Sequence, residues 1–260
     1  MSKSDPSRPP WTSPALVAVA HGSRDPRSAA TVTALIDEVR ARRPDLDVRA
    51  SFLDLSAPRL SDALTSVAAD GHRGAVVVPL LLADAYHARV DIPRAVAETS
   101  RRLPRLAIAI APILGSRLDL LGEIGLRRLA AAAGSLDDPG LGVVLAAVGS
   151  SHPPANAVVA DVVAGWARQF RWHRGIPAFA TATTPTVSEA ITELRAAGAR
   201  RVAVAQWVIA PRLLPDRIIR AAHEAEVPVA EPLGVDPTLA TVVLDRFEAV
   251  SRGLQWRIAG

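Results

Sequence analysis

Two histidines and one aspartate each follow a short apolar stretch of the chain, and their side chains could bind a metal ion or move protons. His21 comes directly after ALVAVA, Asp54 comes after SFL, and His87 comes a few residues after VPLLL. Imidazole accepts borderline divalent ions such as Fe²⁺, Co²⁺ and Ni²⁺, and a carboxylate adds compensating charge. A neutral imidazole, with an ordinary pKa of about 6.5, also accepts a proton at neutral pH. The three residue types therefore suit a divalent metal site that can take up protons.

The apolar stretches alternate with longer segments of helical period, a pattern typical of buried parallel strands joined by helices. It predicts an α/β fold of two similar lobes, each a four-stranded parallel sheet of flavodoxin-like type with flanking helices. The predicted strands are Leu16–Ala20, Val48–Leu53, Gly74–Leu82 and Leu106–Ile110 in the first half, and Gly142–Val148, Ala178–Thr181, Arg201–Ile209 and Val227–Ala230 in the second. Because ligands bind outside the carboxyl ends of such strands, a strand order of 2-1-3-4 would turn His21, Asp54 and His87 towards one cleft.

The two halves repeat one another with a period of about 127 residues. HGSR at 21–24 aligns with VGSS at 148–151, FLDLSAP aligns with ATATTP, and AVVVPLLLA aligns with VAVAQWVIA. The turn-rich segment AGSLDDPG separates the copies. We predict a flexible tail at residues 1–13, a catalytic lobe at 14–134 and a degenerate repeat lobe at 141–254, which together indicate an internal duplication.

Composition excludes several classes of function. There is no cysteine, which rules out disulfides, iron–sulfur clusters and thiolate zinc sites. The apolar runs are far shorter than the roughly 20 residues of a membrane span, and the polar, proline-rich start lacks the apolar core of a signal peptide. The net charge is +4, but the arginines are scattered and form no basic stripe. We therefore predict a cytoplasmic protein with neither a nucleic-acid nor a membrane partner.

Taken singly, each candidate residue also has a structural interpretation. A histidine or aspartate after a strand can cap the next helix or hydrogen-bond a loop. His152 is more simply a loop residue, and Trp207 either stacks on a ligand ring or fills space under a loop. The remaining histidines, His72, His173 and His223, are predicted to lie on the surface. A phosphate-binding α/β protein is the structural alternative, but HGSRDP lacks a glycine-rich phosphate cradle.

Three motifs stand in order on the predicted strands: HGSRDPR, SFLDLSAP and VPLLLADAYHARVDIP. Together they resemble the class II sirohydrochlorin chelatases in their long, two-lobed form, over nearly the whole chain. The resemblance implies a lyase that inserts a divalent metal ion into sirohydrochlorin, an anionic tetrapyrrole. It also implies that His21 and His87 bind the metal and move protons, and that Asp54 assists them where the family more usually has glutamate.

In the second lobe the corresponding positions hold Val148, Thr181 and Leu213 or Leu214, so this lobe is expected to help hold the substrate and to ligate no metal. Ring carboxylates call for arginines and loop donors, and the candidates are Ser23, Arg24, Arg89, Arg212 and Arg217. The metal is expected to be a substrate, with no permanently bound cofactor. Because two fused lobes supply internally the pairing that shorter relatives achieve as dimers, we predict a monomer.

The resemblance leaves the metal open. Fe²⁺ insertion in siroheme biosynthesis is the favoured hypothesis, and Co²⁺ insertion on the route to cobalamin is the close alternative, because both ions suit the same ligands. A protein that carries a tetrapyrrole or a metal without catalysis is the remaining alternative.

Overall fold

A computed structural model describes residues 13–84, 86–181 and 183–259. Apart from Ser13, the predicted tail at residues 1–13 lies outside this part of the chain. Of the described residues, those up to Ser116 and those from Ala240 onward form one compact unit, and those in Arg117–Leu239 form a second. The predicted lobes at 14–134 and 141–254 follow the sequence repeat, whereas these units divide the chain at Ser116 and Leu239, so the lobe limits stay a prediction about the repeat.

The first unit contains a parallel sheet of four strands in the order β2-β1-β3-β4, as predicted. Its strands are β1 (Ala15–Ala20), β2 (Val48–Phe52), β3 (Gly74–Pro79) and β4 (Ala107–Ile110). Its helices are α1 (Pro26–Arg42), α2 (Leu60–Ala69) and α3 (Ile92–Arg102), with a π-helical turn at His87–Asp91 and a 3₁₀ turn at Leu114–Ser116. Every residue of β1 and β3 is buried, as expected for central strands covered on both faces.

The strand register brings three strand ends to one edge of this sheet. Ala20 of β1 pairs with Phe52 of β2, and Val19 pairs with Pro79 of β3. The loops that follow β1, β2 and β3 therefore leave the sheet side by side. This is the edge at which the sequence analysis expects the chemistry.

The second unit has a parallel sheet of three strands, β5 (Leu141–Ala147), β6 (Arg174–Phe179) and β7 (Arg201–Gln206), in the order β6-β5-β7. The predicted fourth strand is wrong, since only an isolated bridge joins Val229 to Val204. Pro228 has no N–H to give to a ladder. Beyond the bridge, the carbonyl of Ala230 accepts a hydrogen bond from the Gln206 side chain at 2.8 Å. In a regular pair of strands a backbone N–H would make this bond.

Strand β6 begins at Arg174, before its predicted start at Ala178. Its outer residues are partly exposed because β6 lies at the edge of the sheet. The pattern of continuous apolar runs therefore did not predict the first four of its six residues. The helices that follow β4, in chain order, are α4 (Leu118–Ala133), α5 (Pro153–Phe170), α6 (Val187–Ala196), α7 (Pro215–Glu224) and α8 (Pro237–Ala259). In the part of the chain that the structure describes, none of the helices is long and apolar enough to cross a membrane.

His72 is buried, so its prediction as a surface residue is wrong. Its side chain is 1% exposed, and Nε2 lies 2.8 Å from a carboxylate oxygen of Asp47. Arg49 donates to the same carboxylate. Burial disfavours the charged form of Asp47, but the hydrogen bonds from His72 and Arg49 outweigh it and hold the pKa of Asp47 well below its usual range. Asp47 lies 25 residues away in the chain and gives the buried imidazole a hydrogen-bond partner. The burial of His72 depends on this partner.

Candidate active site

The loop after β1 is held against the loop after β2 by backbone contacts. The N–H of Asp54 donates to the carbonyl of His21 at 3.0 Å. Gly22 has φ +92°, and a Cβ at this position would lie 1.7 Å from the carbonyl oxygen of Asp54. Only glycine accommodates both the left-handed backbone and this close approach. The second residue of HGSR is therefore required by the packing of the two loops.

The imidazole of His21 is half-buried at this edge of the sheet. Its Nδ1 lies 3.1 Å from the carbonyl oxygen of Gly22. In the tautomer with the proton on Nδ1, that nitrogen donates to the carbonyl, and Nε2 carries the lone pair. Nε2 is then the atom suited to ligate a metal ion or accept a proton.

Asp54 lies in the adjoining loop with its side chain exposed. One carboxylate oxygen is 3.1 Å from the Arg59 guanidinium, and both side chains are more than half exposed. Water screens such a pair strongly, so the carboxylate can exchange its arginine for another cation at little cost. The next residue, Leu55, has φ +59° and is 47% exposed.

His87 begins the π-helical turn His87–Asp91, which leads directly into α3. Turns of this type are rare and often occur at functional sites. The structure describes the backbone of His87 and not its side chain. Among the groups that it does describe, no three His, Asp or Glu side chains form a metal-binding cluster. The meeting of His21, Asp54 and His87 at one ion therefore stays a prediction.

The candidate anion-binding residues differ in their surroundings. Arg24 is exposed, and Arg89 is exposed and donates to Asp84 at 2.9 Å. Ser23 is engaged within its own loop, where its Oγ accepts from the N–H of Asp25 at 3.1 Å. Arg212, in the second unit, is half-buried, and burial lowers its pKa. Within the described ranges no ion pair is found for Arg212, which makes it the candidate with the strongest need for an anion.

The second unit preserves the backbone of the first loop and replaces its chemistry. Thr181 N–H donates to the Val148 carbonyl at 3.0 Å, as Asp54 does to His21. Gly149 has φ +92°, and a Cβ there would lie 2.1 Å from the carbonyl oxygen of Thr181. The ligating positions hold valine and threonine. The expectation that this copy carries no equivalent metal ligands at these positions follows directly from the residues.

The structure shows two features near the candidate residues that the sequence did not predict. In the first unit Tyr86, directly before His87, is 60% exposed, and its repeat counterpart in the second unit, Leu213, is 66% exposed. Aligning the repeat pairs these two positions but does not indicate their exposure. The hydroxyl of Ser56 is hydrogen-bonded to the backbone of Ser23, 33 residues away. No motif in the sequence indicates that contact.

The structure also shows the surroundings of one tryptophan and three histidines that were considered from the sequence. Trp207 is buried, packs edge-on against Trp166 with ring centroids 6.2 Å apart, and lies near Gly125 of α4. It fills space in the second unit, as one of its two alternatives expected, but it packs against residues of two helices and not under a loop. His152 is half-buried at the start of α5, and His173 and His223 are exposed, as predicted.

The CbiX family model matches the chain twice, over residues 15–131 and 142–250. A sirohydrochlorin cobaltochelatase of Priestia megaterium is 25% identical, with 88% of this chain and 78% of that protein aligned. A sirohydrochlorin ferrochelatase of Bacillus subtilis is also 25% identical, with 89% and 90% aligned. The structure of SirB from Bacillus subtilis with Fe³⁺ has the same fold, with a TM-score of 0.80 at 23% identity over 95% of this chain and 98% of that one.

Proposed function

The chain belongs to the CbiX family, and we propose that it is a sirohydrochlorin chelatase, a lyase that inserts a divalent metal ion into the tetrapyrrole. The observation that supports this most directly is the site edge of the first sheet. There a half-buried imidazole, His21, lies in a loop that is fastened to the loop carrying the Asp54 carboxylate. The π-helical turn that begins at His87 provides the second histidine.

The reaction exchanges one divalent cation for the two pyrrole N–H protons of the ring, so charge is conserved when both protons leave. His21 Nε2 can accept one of these protons in the neutral imidazole. We propose that His21 and His87 first hold the incoming ion, that each imidazole accepts one displaced pyrrole proton once the ion has passed to the ring and passes it on to water, and that Asp54 offsets the positive charge of the ion. We propose that a site of two imidazoles and one carboxylate, with coordination positions left open, lets the ion pass on to the ring.

We propose that arginines hold the ring carboxylates. Arg212 has the strongest support, because a half-buried guanidinium without a carboxylate partner among the described residues gains the most from an anionic ligand. Arg24 is exposed and unpaired within the same described ranges, whereas Arg89 would first have to leave Asp84. Ser23 can contribute only through a hydroxyl that already accepts from Asp25.

Iron is our proposed physiological metal, and cobalt is the alternative. The two relatives named for different metals are equally similar to this chain, so similarity does not separate them. The monomeric state, the cytoplasmic location and the lack of a permanent cofactor, of a nucleic-acid partner and of a membrane partner stay predictions of the sequence.

The test is anaerobic insertion of Fe²⁺ and of Co²⁺ into sirohydrochlorin, followed by absorbance, for the wild type beside His21→Ala and His87→Ala. We expect the wild type to exceed the spontaneous rate and each variant to lose most of the gain, by about a hundredfold or more. A wild type that binds the ring without accelerating insertion would be a carrier. Wild-type activity retained by both variants would instead reject the proposed ligands.

A further inference from the structure

We infer that Ser56 is a positioning residue, whose hydroxyl couples the His21 loop to the Asp54 loop so that both groups act on one ion. The inference rests on the proposed chelatase function. Ser56 carries no charge and is no better a metal ligand than many other serines. Its importance comes from where its two hydrogen bonds go.

The Ser56 hydroxyl makes a reciprocal pair of bonds with one residue of the neighbouring loop. It donates to the Ser23 carbonyl at 2.9 Å and accepts from the Ser23 N–H at 3.1 Å. Its own N–H donates to the Asp54 carbonyl at 2.7 Å. Together with the bond from Asp54 N–H to the His21 carbonyl, these contacts close a ring of bonds around both candidate residues.

Leu55 lies inside this ring and has φ +59°, a left-handed conformation that is uncommon for leucine. Such a conformation persists only where the surrounding contacts over-determine it. Its side chain is 47% exposed, so burial of the leucine does not account for the conformation. The hydrogen bonds of Asp54 and Ser56 lie on either side of Leu55, and we attribute its conformation to them.

The second unit satisfies the same two backbone groups from a different element. The Asn156 side chain, in α5, donates to the Ser150 carbonyl at 2.7 Å and accepts from the Ser150 N–H at 3.0 Å. Ser150 is the repeat counterpart of Ser23, and its Oγ likewise accepts from the N–H two residues on. Asn156 corresponds to Ala29 of α1, which has no polar group, and Thr183 corresponds to Ser56.

This difference separates two possible roles for Ser56. If the Ser23 backbone only needed partners, an asparagine on α1 would serve, as Asn156 does on α5. In the first unit the partner comes instead from the loop that carries Asp54. The first unit has the candidate ligands, and there a side chain links the two loops. In the second unit, which has valine and threonine at those positions, the described side-chain link runs from the loop after β5 to α5, the helix that follows it.

The experiment compares Ser56→Ala, Ser56→Thr and the double variant Ala29→Asn with Ser56→Ala, in the full-length protein. Asn156→Ala is the matched control, because it removes the same two bonds in the second unit. Each protein is assayed for Co²⁺ insertion into sirohydrochlorin, giving kcat and KM, for thermal unfolding, and for binding of Co²⁺ alone by its visible absorbance.

We expect Ser56→Ala to lower kcat by about tenfold to a hundredfold with KM changed less than about twofold, since misplacing a reacting group by about 1 Å has effects of this size. Asn156→Ala should lose as much thermal stability as Ser56→Ala does, and its kcat should stay within about twofold of the wild type. Ser56→Thr should restore activity. The double variant should recover thermal stability and stay slow, because the side-chain link from its Asp54 loop to its His21 loop is still missing.

Recovery of kcat by the double variant would overturn the inference and leave Ser56 as a partner for the backbone only. Equal loss of kcat in Ser56→Ala and Asn156→Ala would overturn it as well. A wild type that never exceeds the spontaneous rate would reject the proposed function. In that case the affinity for Co²⁺ alone would test the inference about Ser56. Weaker Co²⁺ binding by Ser56→Ala and by the double variant than by Asn156→Ala would support it. Equal Co²⁺ binding by all three variants would overturn it.

Discussion

The loops after β1 and β5 share a backbone and differ in their side chains. Each has a glycine at φ +92° that touches a carbonyl of the next loop, and each accepts the same hydrogen bond from that loop. In the first copy this frame carries His21 and Asp54, and in the second it carries Val148 and Thr181. Stability therefore constrains the frame in both copies, whereas the proposed reaction constrains the side chains in one.

Moving the histidine between the copies should have the largest effect. We expect the double variant His21→Ala with Val148→His to lose chelation by about a hundredfold or more and to regain none of it. The second unit has Thr181 and Leu214 where Asp54 and His87 stand in the first, so one imidazole has no partners there. The check is the rate of Co²⁺ insertion, with Val148→His alone as the control.

The control should keep the wild-type rate, because the first copy is untouched. If the double variant recovered a substantial part of the activity, the two frames would be equivalent in chemistry as well as in backbone. Such an outcome would break the comparison.

Replacing the paired glycines tests the shared frame itself. Gly22→Ala and Gly149→Ala should each lower the free energy of unfolding by on the order of 3 kcal/mol, since each adds strain at positive φ and a clash with backbone. Urea unfolding measures both. Only Gly22→Ala should also slow insertion, under conditions where both proteins are folded. A large stability loss for one glycine and none for the other would mean that the two loops are not packed alike.

Asp54 and Thr181 test the side chains at a matched position. Asp54→Asn should reduce kcat by about tenfold, because the amide cannot offset the charge of the incoming ion. Asp54→Glu should keep most of the activity, as expected from the glutamate more usual in the family that the motifs resemble. Thr181→Ala should leave the rate unchanged. Steady-state insertion assays check all three, and an active Asp54→Asn enzyme would remove Asp54 from the site.

A substitution at Asp47, at the opposite end of the first sheet, should have the smallest effect. Its effect on the free energy of unfolding should depend on pH. The pKa of Asp47 is lowered in the folded protein, so its contribution to stability is present above the unfolded pKa of about 4 and is lost as the pH falls towards the folded value. Asp47→Asn should cost about 1–2 kcal/mol at pH 7, after allowance for solvent screening. The difference from wild type should shrink below about pH 4.

Asp138 of the second unit provides the comparison for this prediction. Its pKa is lowered by the Gly140 N–H and by Arg201 and Arg200, with no histidine involved. Denaturant unfolding between pH 3 and pH 7 measures both aspartates. A constant difference between Asp47→Asn and wild type across this range would contradict the assignment of the stabilisation to the ionised carboxylate.

Much of the fold follows from local pattern. The apolar runs of β1, β3 and β5 are buried on both faces and are found close to their predicted limits. Only the last two of the six residues of the edge strand β6 were predicted, because its outer residues need not be apolar. The fourth strand of the second unit was predicted from four residues that form a single bridge, since Pro228 limits the pairing.

The sequence by itself determined the fold class, the internal repeat and which residues are candidates to hold a metal ion. These follow from periodicity and residue type, which are local properties. Only the tertiary structure decided that His72 is buried by Asp47, that Gly22 must touch Asp54, and that Ser56 binds Ser23 while Asn156 binds Ser150. Each depends on which groups meet across loops or across tens of residues of chain, because a buried or bent polar backbone needs a partner and several nearby residue types could supply it.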